Sequence, residues 1–240
     1  ELAIILISHT EGRLDLDNIE LFVGAFQRAA PLSLGELWAI PAMLRLGCIE
    51  SVRRMTLRTI QRLEQLEEAE HWSARIHAGV AAGPAELRAT LDDFIGSRPL
   101  LTPNFVSRFL QLLRPIRAGQ QSLVRLEQWI IEESMSAEDA GARSAQRLAL
   151  TQLMMANSIT SLRSIAHTDW RGFVEKQSVT EAVLRTDPAG FYDRMTFATR
   201  DNYRHVVERI ARRVGASEPS VARQAIELAR VAREDDPLDD

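Results

Sequence analysis

The chain is 240 residues long, 45% hydrophobic and 26% charged, with a formal net charge of −4. Such a chain has core material for one large domain or two lobes; it is not a disordered segment, and its charge gives no general drive toward nucleic acid or anionic lipid. A single cysteine, Cys48, rules out an intrachain disulfide and a cysteine-based metal cluster, and the apolar run Leu2–Ile7 is far too short to span a bilayer. Of the 29 basic residues only Lys176 is lysine, a bias that is uniform along the chain and reads as codon usage. The chain begins at Glu1 rather than Met, which reads as a piece of something longer, with a membrane protein among its candidate parents.

In chain order, nearly every segment reads helical. Leu21, Phe22, Ala25, Phe26 and Ala29 recur at helical spacing behind Asp17, a good N-cap, and Pro31 ends that helix. "SLGE", Ser33 to Glu36, has the form of a capping box opening a helix from Leu34 to about Ala78. Its stripe is Leu44, Cys48, Val52, Met55, Thr59, Leu63 and Leu66, and its length predicts a bend or break. Beyond "AAGPAE" a short helix runs to about Ile95, and the next opens at Thr102-Pro103 and ends near Leu113. Further helices are expected at Ala118–Glu133 and Ala137–Ala166, the second with Ser136 and Asp139 as a weaker capping pair. Ser178 and Glu181 form another capping box, whose helix stops at Asp187-Pro188. Thr199 opens a helix that Gly215 closes, and Ser217 opens the last, to about Arg233. Strand-like alternation and hairpin turns are missing. The fold class is all-α, a multi-helix bundle of about eight to ten helices. Its expected division is a lobe at 1–97 with one long helix, a lobe at 98–234 and an acidic tail at 235–240, with one continuous helical domain as the alternative.

No constellation of catalytic type emerges. Asp15 and Asp17 have metal-binding spacing, but between two helices they are better read as caps. His71 and His77 do not share a helix face, and His167 beside Asp169 reads as a local hydrogen bond. The adjacent pairs Asp92-Asp93, Glu132-Glu133 and Asp235-Asp236 splay apart rather than facing each other across a cleft. Phe22, Phe26, Phe105, Phe109 and Trp129 read as core. No nucleophile elbow or phosphate-cradling loop is present, so no catalytic, cofactor-binding or metal residue is assigned. Ala211, Gly215 and Val221 have helix-turn-helix spacing, which would put Arg223 and Gln224 near bases; Glu218 and the net negative charge argue against DNA.

The stretch "DPAGFYDRMTFATRDNYRHVVERIA", Asp187 to Ala211, carries two arginines near a helix start, where the helix dipole disfavours them. Asp187 and Asp193 are the expected partners of Arg200 or Arg204. Tyr203, Val206, Val207, Ile210 and Val214 form the expected docking stripe, and Arg204, Glu208 and Arg212 a ladder on another face.

Two long stretches resemble one family. "APLSLGELWAIPAMLRLGCIESVRR", Ala30 to Arg54, and "SITSLRSIAHTDWRGFVEKQSVTEAVLRTDPAGFYDRMTFATRDNYRHVVERIAR", Ser158 to Arg212, are similar to the N-terminal region of cyclic β-1,2-glucan synthases, and "EGRLD", Glu11 to Asp15, also fits. Gly47-Cys48 replaces a more apolar pair, and Thr196 stands where Asp is expected. The resemblance implies a large bacterial inner-membrane parent whose glucosyltransferase domain uses UDP-glucose and whose phosphorylase-like region trims chain length. It makes this chain a non-catalytic helical segment on the cytoplasmic side, with no cofactor of its own. Its partners would be the parent's transferase and phosphorylase-like domains, and β-glucan in the alternative of an accessory glucan-binding surface. The candidate structural or interface residues are Trp38, Arg45, Trp170, Asp187, Tyr192, Arg200, Tyr203 and Arg204.

Overall fold

A computed structural model describes residues 1–134 and 137–235. Among them are eleven α-helices, one 3-10 turn and no strands, so the all-α expectation holds. In order they are α1 (Leu2–His9), α2 (Leu16–Gln27), α3 (Leu34–Ala82), α4 (Pro84–Gly96), α5 (Pro103–Leu113), α6 (Gln121–Ser134), α7 (Ala137–His167), α8 (Trp170–Gln177), α9 (Val179–Leu184), α10 (Phe197–Val214) and α11 (Glu218–Asp235), with the 3-10 turn at Tyr192–Arg194. The expected cap at Ser136 and most of the acidic tail, 236–240, lie outside the described residues.

The chain forms two compact units, Glu1–Glu50 with Asn157–Asp240, and Ser51–Ala156, so α3 and α7 each contribute to both. This division departs from the expected lobe boundary near residue 97. The reason is the second unit's core, in which Phe94 of α4 stacks on Phe109 of α5, centroids 5.0 Å apart, with Trp72 of α3 edge-on to it. The Gly96–Pro103 break therefore lies inside one core.

In the first unit, α1 packs Leu6 and Ile7 with Ile19 and Val23 of α2, Leu37, Leu44 and Cys48 of α3, Ile165 of α7, and Phe173 of α8. A side-chain carbon added at Gly47 would meet Ile7 Cδ1 at 2.4 Å, so a larger residue there requires the end of the Ile7 side chain to move. The Cys48 thiol is buried beside it, which raises its pKa to about 11. The loop holding "EGRLD" is tied to α7: Ser161 donates to the Gly12 carbonyl and accepts from Leu14 N–H, both at 2.7 Å, and Asn157 donates to the Glu11 carbonyl.

The capping chemistry accounts for most helix starts. Ser33 and Glu36 form the expected reciprocal box, Thr102 with Pro103 opens α5, and Gly215 closes α10 with a left-handed φ of 67°. Five details differ from expectation. Asp15, not Asp17, caps α2 by accepting from Asn18 N–H, and Thr196, not Thr199, caps α10. No break interrupts α3, which carries Pro41 in its second turn, and along its stripe Leu44, Cys48 and Met55 are buried while Leu63 is 50% exposed. Helices α1 and α8 were not anticipated. Phe26, read as core, is 40% exposed.

Candidate functional site

Asp169 caps α8 and Ser178 caps α9, two consecutive short helices that carry Glu175 and Glu181. Thr196 starts α10 so that Arg204, Val207 and Ala211 share its buried face. Four carboxylates and three guanidinium groups meet between these elements. Arg200 forms a bidentate pair with Glu175 at 2.7 and 2.9 Å and donates to the Met195 carbonyl at 2.8 Å. Arg204 reaches Glu181 at 2.8 Å, Asp201 at 3.0 Å and Glu175 at 3.2 Å. Arg185, more exposed, bridges Glu181 at 3.0 Å and Asp193 at 3.1 Å. The Tyr192 hydroxyl donates to Glu181 at 2.8 Å.

The centre of this cluster is dry. The side chains of Arg204 and Glu181 are both 0% exposed. The Arg204 guanidinium lies 4.8 Å over the Phe197 ring, whose edge contact with Trp38 is 6.5 Å between centroids. Its Nε has no hydrogen-bond partner. Burial opposes ionisation of Arg204, and the bonds from Glu181 and Asp201 outweigh it, raising its pKa. Burial likewise works to raise the Glu175 pKa, but Arg200 and Arg204 hold it below the usual carboxylate value. Tyr192 is pushed well up, by burial first and then by the Glu181 carboxylate beside it.

The expected partners therefore differ from those found. Asp187 does not pair with either arginine; its carboxylate accepts from the backbone N–H groups of Ala189, Phe191 and Tyr192 and closes the Asp-Pro-x-Gly turn. Asp193 pairs with Arg185. Glu175 and Glu181 fill the role instead. Glu181 was read as a capping partner, yet only its N–H binds Ser178, leaving its carboxylate for the arginine. The docking stripe also inverts: Tyr203, Val206, Ile210 and Val214 are 51%, 40%, 43% and 63% exposed, while Val207 is buried beside Arg204. Of the ladder, Glu208–Arg212 forms at 2.6 Å and Arg204 leaves it for the interior.

The other candidates scatter around this centre. Trp170 is half-buried, donating its indole N–H to the Ile165 carbonyl, and Arg45 is exposed on α3. Tyr203 stands edge-on to Tyr192, centroids 6.3 Å apart. At the start of α11, Glu218 is buried and accepts from the Leu34 N–H at 2.8 Å, so it caps α3. A groove-reading helix would present that position to DNA; here it is turned inward. Among the described residues no His, Cys, Asp and Glu group is placed to hold a metal ion, and no helix is long and apolar enough to cross a membrane.

No family model matches the chain. It is 32% identical over 241 residues to the cyclic beta-(1,2)-glucan synthase NdvB of Rhizobium meliloti (strain 1021), an alignment covering 97% of this chain and 8% of that protein. The recognisable motifs and the alignment agree: this chain is homologous to one segment of a cyclic beta-(1,2)-glucan synthase.

Proposed function

We propose that the chain is a non-catalytic helical domain of a cyclic β-1,2-glucan synthase, positioning or regulating the modules that carry out glucosyl transfer and chain trimming. The observation that carries this reading is the disposition of α10. Arg200 and Arg204 near its start are consumed internally by Glu175, Glu181 and Asp201, while its other side offers an exposed apolar row of Tyr203, Val206, Ile210 and Val214. Buried ion pairs hold a shape, and an apolar helix face that the described residues leave exposed is material for packing against another part of a larger protein. On this reading the partners are the transferase and phosphorylase-like domains of the parent, and the segment itself lies at the cytoplasmic side of the inner membrane.

The test is made in a synthase that contains this segment. Ile210→Glu leaves the fold of the 240-residue chain intact and lowers glucan synthesis by the whole protein. Undiminished synthesis in that variant overturns the reading.

An accessory glucan-binding surface is the second reading, favoured by the exposure of two aromatic rings, Phe191 at 62% and Tyr203 at 51%. Exposed aromatic rings can stack on sugar faces. Titration of the chain with linear and cyclic β-1,2-glucans separates the two: saturable binding that Tyr203→Ala abolishes favours the glucan surface, and no binding at millimolar glucan removes it.

A further inference from the structure

The second unit, Ser51–Ala156, carries a groove of about 480 Å³ whose wall combines Arg58 and Arg62 of α3 with Arg147 of α7. Asn104 and Thr151 add neutral polar groups, and no carboxylate lines it. Among the described residues none of the three guanidinium groups has an ion-pair partner, and the Arg62 Nε is shielded from water with no hydrogen bond at all. Another groove on the same unit differs in this respect: its Arg117 is paired with Glu127, which lines it too.

Arg58 and Arg62 stand one turn apart on α3, where like charges repel, and a donor buried without an acceptor is unfavourable by itself. An anion in the groove relieves both. Thr102 and Pro103 start α5 at the groove's edge, so the positive end of that helix adds to the same field. Guanidinium groups present paired N–H donors that match the oxygens of a phosphate, and the volume lies within the range of small-molecule sites.

We propose that this groove is a binding site for a phosphate-bearing small molecule, with a diphosphate spanning the three arginines. The site is separate from the α8–α10 cluster, and its test does not depend on the positioning role proposed above.

Calorimetric titration of the 240-residue chain with pyrophosphate, inorganic phosphate and sulfate at fixed ionic strength tests it. Pyrophosphate is expected to bind saturably at one site, more tightly than sulfate, and to raise the unfolding midpoint. Arg62→Gln and Arg147→Gln are each expected to weaken it by about tenfold, the loss of one charge-assisted contact. Arg58→Gln, at an exposed position, serves as a further variant whose folding is secure, and Arg223→Gln on α11 as the control that leaves binding unchanged. The proposal is overturned by no saturable binding at millimolar pyrophosphate, or by equal binding in the groove variants when their helical circular dichroism matches the parent chain.

Discussion

Arg204 Nη1 lies 2.8 Å from Glu181 Oε2, and neither side chain has any exposure to solvent. A pair so placed is costly to leave half-made: without Arg204, Glu181 keeps only Arg185, Tyr192 and the more distant Arg200 in a dry interior, and Asp201 loses its arginine. Arg204→Ala should therefore destabilise the chain by about 3–5 kcal/mol. The double variant Arg204→Met, Glu181→Leu should recover much of that loss, since the two fully buried charges go together while Glu175 keeps Arg200 and Arg185 keeps Asp193. Urea denaturation of Arg204→Met, of Glu181→Leu and of the double variant checks this; fully additive losses would show that the two groups do not act as a pair.

Tyr192 donates to the same Glu181 oxygen that Arg204 reaches. Tyr192→Phe keeps the ring against Leu184 and Val207 and removes only the hydroxyl. The expected cost is about 1.5–3 kcal/mol for a hydrogen bond to a charged group. A thermal unfolding midpoint unchanged by Tyr192→Phe contradicts a structural role for this contact.

Glu218 and Glu175 give opposite pH signatures. Burial raises the Glu218 pKa above 4.5, so its ionised form is disfavoured in the fold and its contribution weakens as pH rises through that raised value. Glu218→Gln, whose amide oxygen still accepts from Leu34, should thus gain stability relative to the parent chain between pH 4.5 and 7. Glu218→Ala, which removes the cap of α3, should lose about 1 kcal/mol. Glu175 is held low, so its contribution is complete above 4.5 and fades as the pH falls through its lowered value. Glu175→Gln should erase that part of the acid-unfolding profile. Chemical denaturation repeated across pH 2–8 reads both effects.

The helix ends of this fold are legible in the sequence because capping is local. Ser33 with Glu36, Thr102 with Pro103, and Gly215 each declare themselves within four residues. Helix α1 is not legible, because Leu2–Ile7 is apolar on every side and shows no stripe; only the core around Ile19 and Leu44 decides which side is buried. The face of α10 misleads for a deeper reason. By residue type, Tyr203, Val206 and Ile210 belong inside and Arg204 outside, and the reversal depends on carboxylates 23 and 29 residues away. Arg204, Val207 and Ala211 at helical spacing were the available signal, but one charged member argued against that face. Two of the cluster's three arginines were found from the sequence; Glu175 and Glu181, which hold them, were not.

The central claim is that the exposed row of α10 is covered in the whole synthase. Cys48, the chain's single cysteine, is buried with its pKa raised to about 11, so a thiol introduced by Val206→Cys would be the one that reacts in this segment. Maleimide labelling at that position is compared between the 240-residue chain and a synthase that contains it and is cleared of other reactive cysteines. The account predicts rapid labelling in the chain and strong protection in the synthase. Equal labelling rates in both would contradict it.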